Sequence, residues 1–198
     1  DLVTTVTSVD SAAGLPSDTQ TAQDDLDIDV DAIVDDLDFN VADTRVQENT
    51  DGARRMNIAL TDVALQDTDG SEVLQSLTLS ISVETESDNF DPSHASDLLL
   101  EVRNNGLSKL VQITQTGSTP DSVDYTITPL PGTSGADFTA AIEDLRIEVP
   151  QHFSGVLTLD GTLAWSETTT GDVELDPGDN PGTSTFQIVQ TVRPRVEA

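Results

Sequence analysis

A chain of 198 residues with 37 acidic against 8 basic side chains, a formal charge of −29, is repelled by nucleic-acid phosphates and anionic membranes and favours a cation as counter-partner. Cysteine is absent, which excludes disulfides, thiolate metal sites and a cysteine nucleophile. No apolar run approaches the roughly 20 residues of a membrane span, and no basic-then-apolar signal segment follows Asp1. With 35% hydrophobic residues the chain has enough apolar surface for a core, as one large domain or one domain plus part of another. High charge and 4% aromatics push toward disorder unless the repulsion is offset, by salt or by bound metal. Hard carboxylate oxygens favour calcium; an acidic surface kept for solubility in a salty environment is the alternative.

In chain order, Val6–Val30 reads as an apolar/Thr strand, an acidic Gly/Pro loop and a Thr/Gln-rich strand, a pattern that Ala164–Val192 repeats weakly. Residues 1–40 are thus expected to be an extra hairpin or the tail of a preceding module, with Asp31–Phe39 (DAIVDDLDF) as connector to a sandwich over 41–198. Convergence of two acidic hairpins is the competing explanation. Asp24-Asp25, Asp27, Asp29 and Asp31 alternate along Leu26–Val30 (LDIDV), so a strand there would line one face with carboxylates, which suits an edge kept charged against aggregation better than a cation-binding face. Period-two alternation then predicts strands over 78–83 (TLSISV), 98–102 (LLLEV), 109–114 (KLVQIT), 123–128 (VDYTIT), 155–163 (GVLTLDGTL) and 185–192 (TFQIVQTV). Turn clusters separate them: DTDG at 67–70, NNG at 104–106, GSTPD at 117–121, PLPGTSG at 129–135 and DPGDNPG at 176–182. One stretch departs from the period: Phe138, Ala141, Ile142 and Leu145 in ADFTAAIEDL predict a single short helix crossing one end of the sandwich. The expected fold is an all-β, immunoglobulin-like antiparallel sandwich with that one helix.

The run Ala64–Leu74 (ALQDTDGSEVL) places Asp67, Asp69 and Glu72 around Gly70. Alternate carboxylates in a tight loop can converge on one ion, and calcium accepts six to eight oxygens. The loop is not an EF-hand, because the sixth and twelfth places from Asp67 hold Glu72 and Thr78. An ordinary solvated Asp-Gly turn is the alternative. Two further acidic clusters, Glu84, Glu86, Asp88 and Asp91, and Asp172, Glu174, Asp176 and Asp179, have spacings compatible with calcium but not diagnostic of it.

The order Val41-Ala42-Asp43, Glu48-Asn49-Thr50, LQDTDGSEVL at 65–74, FTAAIEDLRIEVP at 138–150, Phe153-Ser154-Gly155 and a closing Thr-rich strand ending in Pro194 and Val196-Glu197-Ala198 resembles the tandem immunoglobulin-like repeats of giant repeats-in-toxin adhesins. The resemblance implies a calcium-rigidified sandwich of a protein secreted by the type I pathway to a bacterial surface, supporting adhesion or biofilm formation. It also implies calcium-ligand roles for Asp67, Asp69 and Glu72, with Glu48 and Asp43 as junction ligands. Two departures stand out: the chain is longer than such repeats, with extra residues between Glu84 and Ile147, and it closes on Pro194-Arg195-Val196 in place of the usual Pro-Val-Ala-Asp type ending.

Catalysis is not expected. The two histidines, His94 and His152, lie in no nucleophile motif, and a glycosidase would want aromatic platforms beyond the single Trp165 and Tyr125. Trp165 reads as core. The functional expectation is a non-catalytic extender whose partners are adjacent adhesin domains; a sugar- or peptide-binding domain near an adhesin tip is the alternative. No nucleic acid and no membrane insertion are expected.

Overall fold

The computed structural model describes residues 2–10, 18–26, 31–32, 34–49, 52–66, 71–85, 95, 97–167, 174–175 and 181–194. In chain order the strands are β1 (Leu2–Asp10), β2 (Asp18–Leu26), β3 (Asp31–Ala32), β4 (Leu37–Val41), β5 (Thr44–Gln47), β6 (Arg54–Asn57), β7 (Leu60–Leu65), β8 (Glu72–Thr85), β9 (Leu99–Val102), β10 (Val111–Ser118), β11 (Ser122–Pro129), β12 (Leu145–Val149), β13 (Gly155–Glu167), β14 (Glu174–Leu175) and β15 (Gly182–Arg193). Helix α1 (Gly135–Glu143) lies between β11 and β12.

The principal sheet has six strands in the order β10-β11-β8-β13-β15-β5, and a second has three, β6-β12-β9. Their alternation is the reason they pack. On β13 the residues Leu157, Leu159, Leu163 and Trp165 are buried and their neighbours are not, because successive side chains of a strand point to opposite faces. Leu77, Leu79, Ile81 and Val83 of β8 join them. Met56, Leu100, Leu145, Ile147 and Val149 of the smaller sheet belong to the same apolar cluster, so two sheets enclose one core. Tyr125 ties them at an edge: its hydroxyl donates to the Leu98 carbonyl at 2.6 Å, just before β9. The six strands expected from alternation over 78–192 are present, that of 109–114 beginning at Val111 after a 3-10 turn at Leu107–Lys109. The acidic stretch 27–30 lies outside the described residues, and the architecture is the expected all-β sandwich with one α-helix.

Three features differ in detail. The helix ends at Glu143, and Leu145 opens β12 instead of closing the helical face. Ser134 caps its N-terminus, its hydroxyl accepting from the Asp137 N–H at 3.1 Å, while Phe138, Ala141 and Ile142 turn into the core. The sandwich is not wholly antiparallel: β5 runs parallel to β15, and β3 to β14. Finally, in the stretch read as a connector, Leu37 is a core residue opposite Leu65 on β7, and Phe39 is half-buried against the core, stacked at a tilt on Phe186 with centroids 5.6 Å apart. At the N-terminal end β1 and β2 form their own antiparallel two-stranded sheet, Leu2 opposite Leu26.

Candidate functional site

Of the expected calcium ligands, Asp67 and Asp69 lie outside the described residues. Asp43 and Glu48 bracket β5. The Asp43 carboxylate accepts from the Val189 N–H at 2.9 Å, and the Glu48 N–H donates to the Arg193 carbonyl at 2.8 Å, so the two residues clamp the parallel strand onto β15 at both ends. Neither sits beside Glu72, which opens β8 at the far end of the sheet. Of the other two acidic clusters, only Glu84 has a described side chain, and it is exposed.

Glu72 is buried, 7% exposed, and its Oε1 accepts from the Asp35 N–H. Directly opposite it in register, on the same inward face, stands Glu167 at the end of β13, 8% exposed. Sequence reading missed Glu167, although the signal was there: it continues the inward phase of Leu163 and Trp165. Two carboxylates opposed across a strand pair repel, and burial weakens the screening that would relieve them. Glu72 also borders a cavity of about 240 Å³ with Leu37 and Leu74, into which the first turn of α1 brings Gly135 and Ala136. A helix N-terminus offsets part of a negative charge, typically by less than 1 kcal/mol. The pair offers up to four hard oxygens, the donor chemistry calcium prefers. Trp165 reads this corner directly, because its indole Nε1–H donates to the carbonyl of Asp35, the same residue whose N–H holds Glu72, at 2.9 Å. Among the described residues no three His, Asp or Glu side chains converge as a complete metal shell.

The outer face of the six-stranded sheet carries a different arrangement. Five threonines stand in one register row across five strands: Thr114, Thr126, Thr78, Thr162 and Thr185. Two residues further along the strands, three on β10, a second row reads Gly117, Asp124, Ser80, Asp160 and Gln187. Between them, Tyr125, Leu79, Gly161 and Phe186 form a row whose side chains turn to the core, leaving backbone as the floor of a trough of about 710 Å³. A Cβ at Gly161 would stand 2.1 Å from Phe186 Cζ, so the ring lies against the glycine on the core side of this row. The walls are ordered too. Gln187 Nε2 donates to Asp160 Oδ1 at 2.8 Å, and Asp124 lies over Gly117, where a Cβ would meet its Oδ2 at 2.7 Å. A bulge between Gln115 and Gly117 leaves Thr116 as the extra residue of β10, and it lines one end.

No family model matches the chain, and no curated protein matches it. Among solved structures, the cohesin module from Clostridium perfringens ATCC13124 family 33 glycoside hydrolase is similar at 11% identity and a TM-score of 0.38, covering 83% of this chain and 100% of that one. A chain of the CaDoc0917–CaCohA2 complex is similar at 13% identity and a TM-score of 0.38, covering 78% of this chain and 99% of that one. Both are remote in sequence, and neither bears on what this chain binds.

Proposed function

We propose that this chain is a non-catalytic, calcium-stabilised module of a secreted cell-surface adhesin, a stiff spacer between neighbouring domains. The observation that supports it is the buried, register-opposed pair Glu72 and Glu167 at the end of the sheet, with Glu72 following the DTDG sequence of 67–70 in the chain. A fold of charge −29 that also buries two facing carboxylates gains most from a divalent cation, which cancels local and global repulsion together. Asp67 and Asp69, five and three residues before Glu72 in the chain, complete the ligand set in this reading. An ion that binds the folded form alone stabilises it by about 2.7 kcal/mol at a hundredfold excess over its dissociation constant, so ion binding and folding are linked. Low calcium in the cytoplasm and high calcium outside would then let the chain fold after export.

Isothermal titration of the calcium-free protein with calcium tests this, with Trp165 emission followed in parallel. Saturable uptake that changes the emission, and is lost in Glu72→Gln/Glu167→Gln while the variant still folds in salt, is the expected result. Heats no different from those of magnesium, or uptake indifferent to the double substitution, would remove this assignment.

A further inference from the structure

We infer that the outer face of the six-stranded sheet is a carbohydrate-binding face, taking a neutral glycan laid across the strands in the trough between the threonine row and the Asp-Ser-Asp-Gln row. This goes beyond the calcium reading and does not depend on it, because the trough lies on the opposite side of the sheet from Glu72 and Glu167.

Dimensions come first. Strands stand about 4.8 Å apart and next-nearest residues on one strand about 6.7 Å, so four strands give a channel roughly 14 Å long between two polar walls. That fits a few sugar rings in a row. Chemistry then narrows the occupant. Carboxylates accept only, threonine and serine hydroxyls donate and accept, and the Gln187 amide does both, so the walls answer the mixed donors and acceptors of vicinal sugar hydroxyls. Asp160 is already oriented by Gln187 and Asp124 by its seat over Gly117, which lowers the ordering cost of binding.

Charge excludes the neighbouring ligand classes. Among the described residues no lysine or arginine lines the trough, and two carboxylates do, on a chain of −29. Phosphate, sulfate and uronate groups are therefore repelled. The large apolar residues that line the trough, Leu79, Tyr125 and Phe186, are buried, so only small apolar groups such as threonine methyls stand open to a lipid or a hydrophobic peptide. The side chains that face the trough also lack the Trp, Tyr and Arg anchors that carry most protein interfaces, since Tyr125 and Phe186 direct their rings to the core. A neutral polyhydroxylated chain is what remains complementary. Without a stacking platform the affinity is weak, with a Kd of about 1 mM for a short oligosaccharide, and gains come from repeated units along a longer glycan.

The test is an NMR titration of isotope-labelled protein, in calcium-containing buffer with the fold verified, using cellohexaose, mannohexaose and isomaltohexaose as probes. Oligogalacturonate serves as the anionic control and a lysine-rich peptide as the protein-like control. The expected result is saturable shifts from at least one neutral hexasaccharide, confined to amides of β8, β11, β13 and β15 around the two rows. Affinity should fall at least tenfold in Asp124→Ala/Asp160→Ala and in Thr162→Val at unchanged Tm, and oligogalacturonate should give no shifts. Absence of saturable shifts from all three sugars, shifts mapping elsewhere, or binding indifferent to the substitutions would overturn the assignment. So would the peptide alone shifting the same amides, which would make the face a protein interface. Because calcium uptake is read separately at Trp165, failure here leaves the calcium reading standing, and the reverse holds.

Discussion

The two outer faces of this sandwich solve the same problem in opposite ways. The three-stranded sheet covers its outside with charge: Arg55 lies opposite Glu148 with 2.6 Å between them, Arg146 opposite Glu101 with 2.8 Å, and Arg55 reaches Glu101 at 3.1 Å. Arg103 pairs with Asp144 at 2.7 Å nearby. Three of the chain's eight basic residues are thus committed to this one region. Around its trough the six-stranded sheet presents hydroxyls, two carboxylates and an amide, and among the described residues no base lines it. Opposed charges across strands suit a face that only needs to be solvated and kept from sticking. An ordered, base-free hydroxyl array keeps its hydrogen-bonding capacity open to a ligand. The difference teaches that in so acidic a chain the placement of the few arginines is as informative as that of the many aspartates.

Four substitutions sharpen that contrast. The largest effect is expected at Gly161→Ala, where the added Cβ meets Phe186 Cζ at 2.1 Å and forces the ring to shift within the core. Overpacking of this kind costs about 1–3 kcal/mol in denaturant unfolding, and both faces would feel it through the shared core.

Tyr125→Phe comes next. It removes the hydroxyl that joins the two sheets at Leu98 and should cost about 1 kcal/mol at neutral pH. Burial pushes the Tyr125 phenol above its ordinary value of 10.0, with a smaller opposing contribution from a backbone hydrogen bond at Leu100. Because the folded pKa is raised, the neutral phenol's contribution is whole below pH 10 and declines as pH rises from there toward the folded pKa. Tyr125 is the chain's single tyrosine, so absorbance titration of the phenolate reads it alone; the Phe variant should lose this part of the alkaline decline.

Glu101→Gln tests the charged face. It weakens contacts to two arginines at a partly exposed site, so the expected loss is about 1–2 °C in Tm at low salt, vanishing near 1 M salt. Thr162→Val should leave stability within about 0.5 kcal/mol, because valine keeps the strand's shape preference and removes only a hydroxyl from a solvated row. A threonine row that proved essential to stability would be scaffold and not binding surface.

The fold was largely legible in the sequence because period two is a local signal. TLSISV, VDYTIT and GVLTLDGTL each show their buried face without reference to another strand, and all three are strands of the main sheet. The helix was legible through Phe138, Ala141 and Ile142, but its end was not, since Leu145 fits both the helical spacing and the first inward position of β12. Short strands such as β5 and β6 were not found. Their four residues carry too little pattern, and hydrogen bonds from Asp43 and Glu48 rather than alternation hold β5 in place. Neither candidate site could be read whole. The threonine row exists only once register aligns five strands, and Glu167 becomes notable only when β13 lays it opposite Glu72. Glu72 itself was legible as part of DTDGSE, while the role of Asp35 as the backbone link between it and Trp165 depends on a contact across 130 residues of chain.

The most direct test of the calcium account is thermal unfolding by circular dichroism in chelator, in millimolar calcium, and in magnesium or sodium matched for ionic strength. The account predicts a rise in Tm of several degrees that is specific to calcium and shrinks in Glu72→Gln/Glu167→Gln. Equal stabilisation by every salt would contradict it, leaving the acidity as surface charge alone.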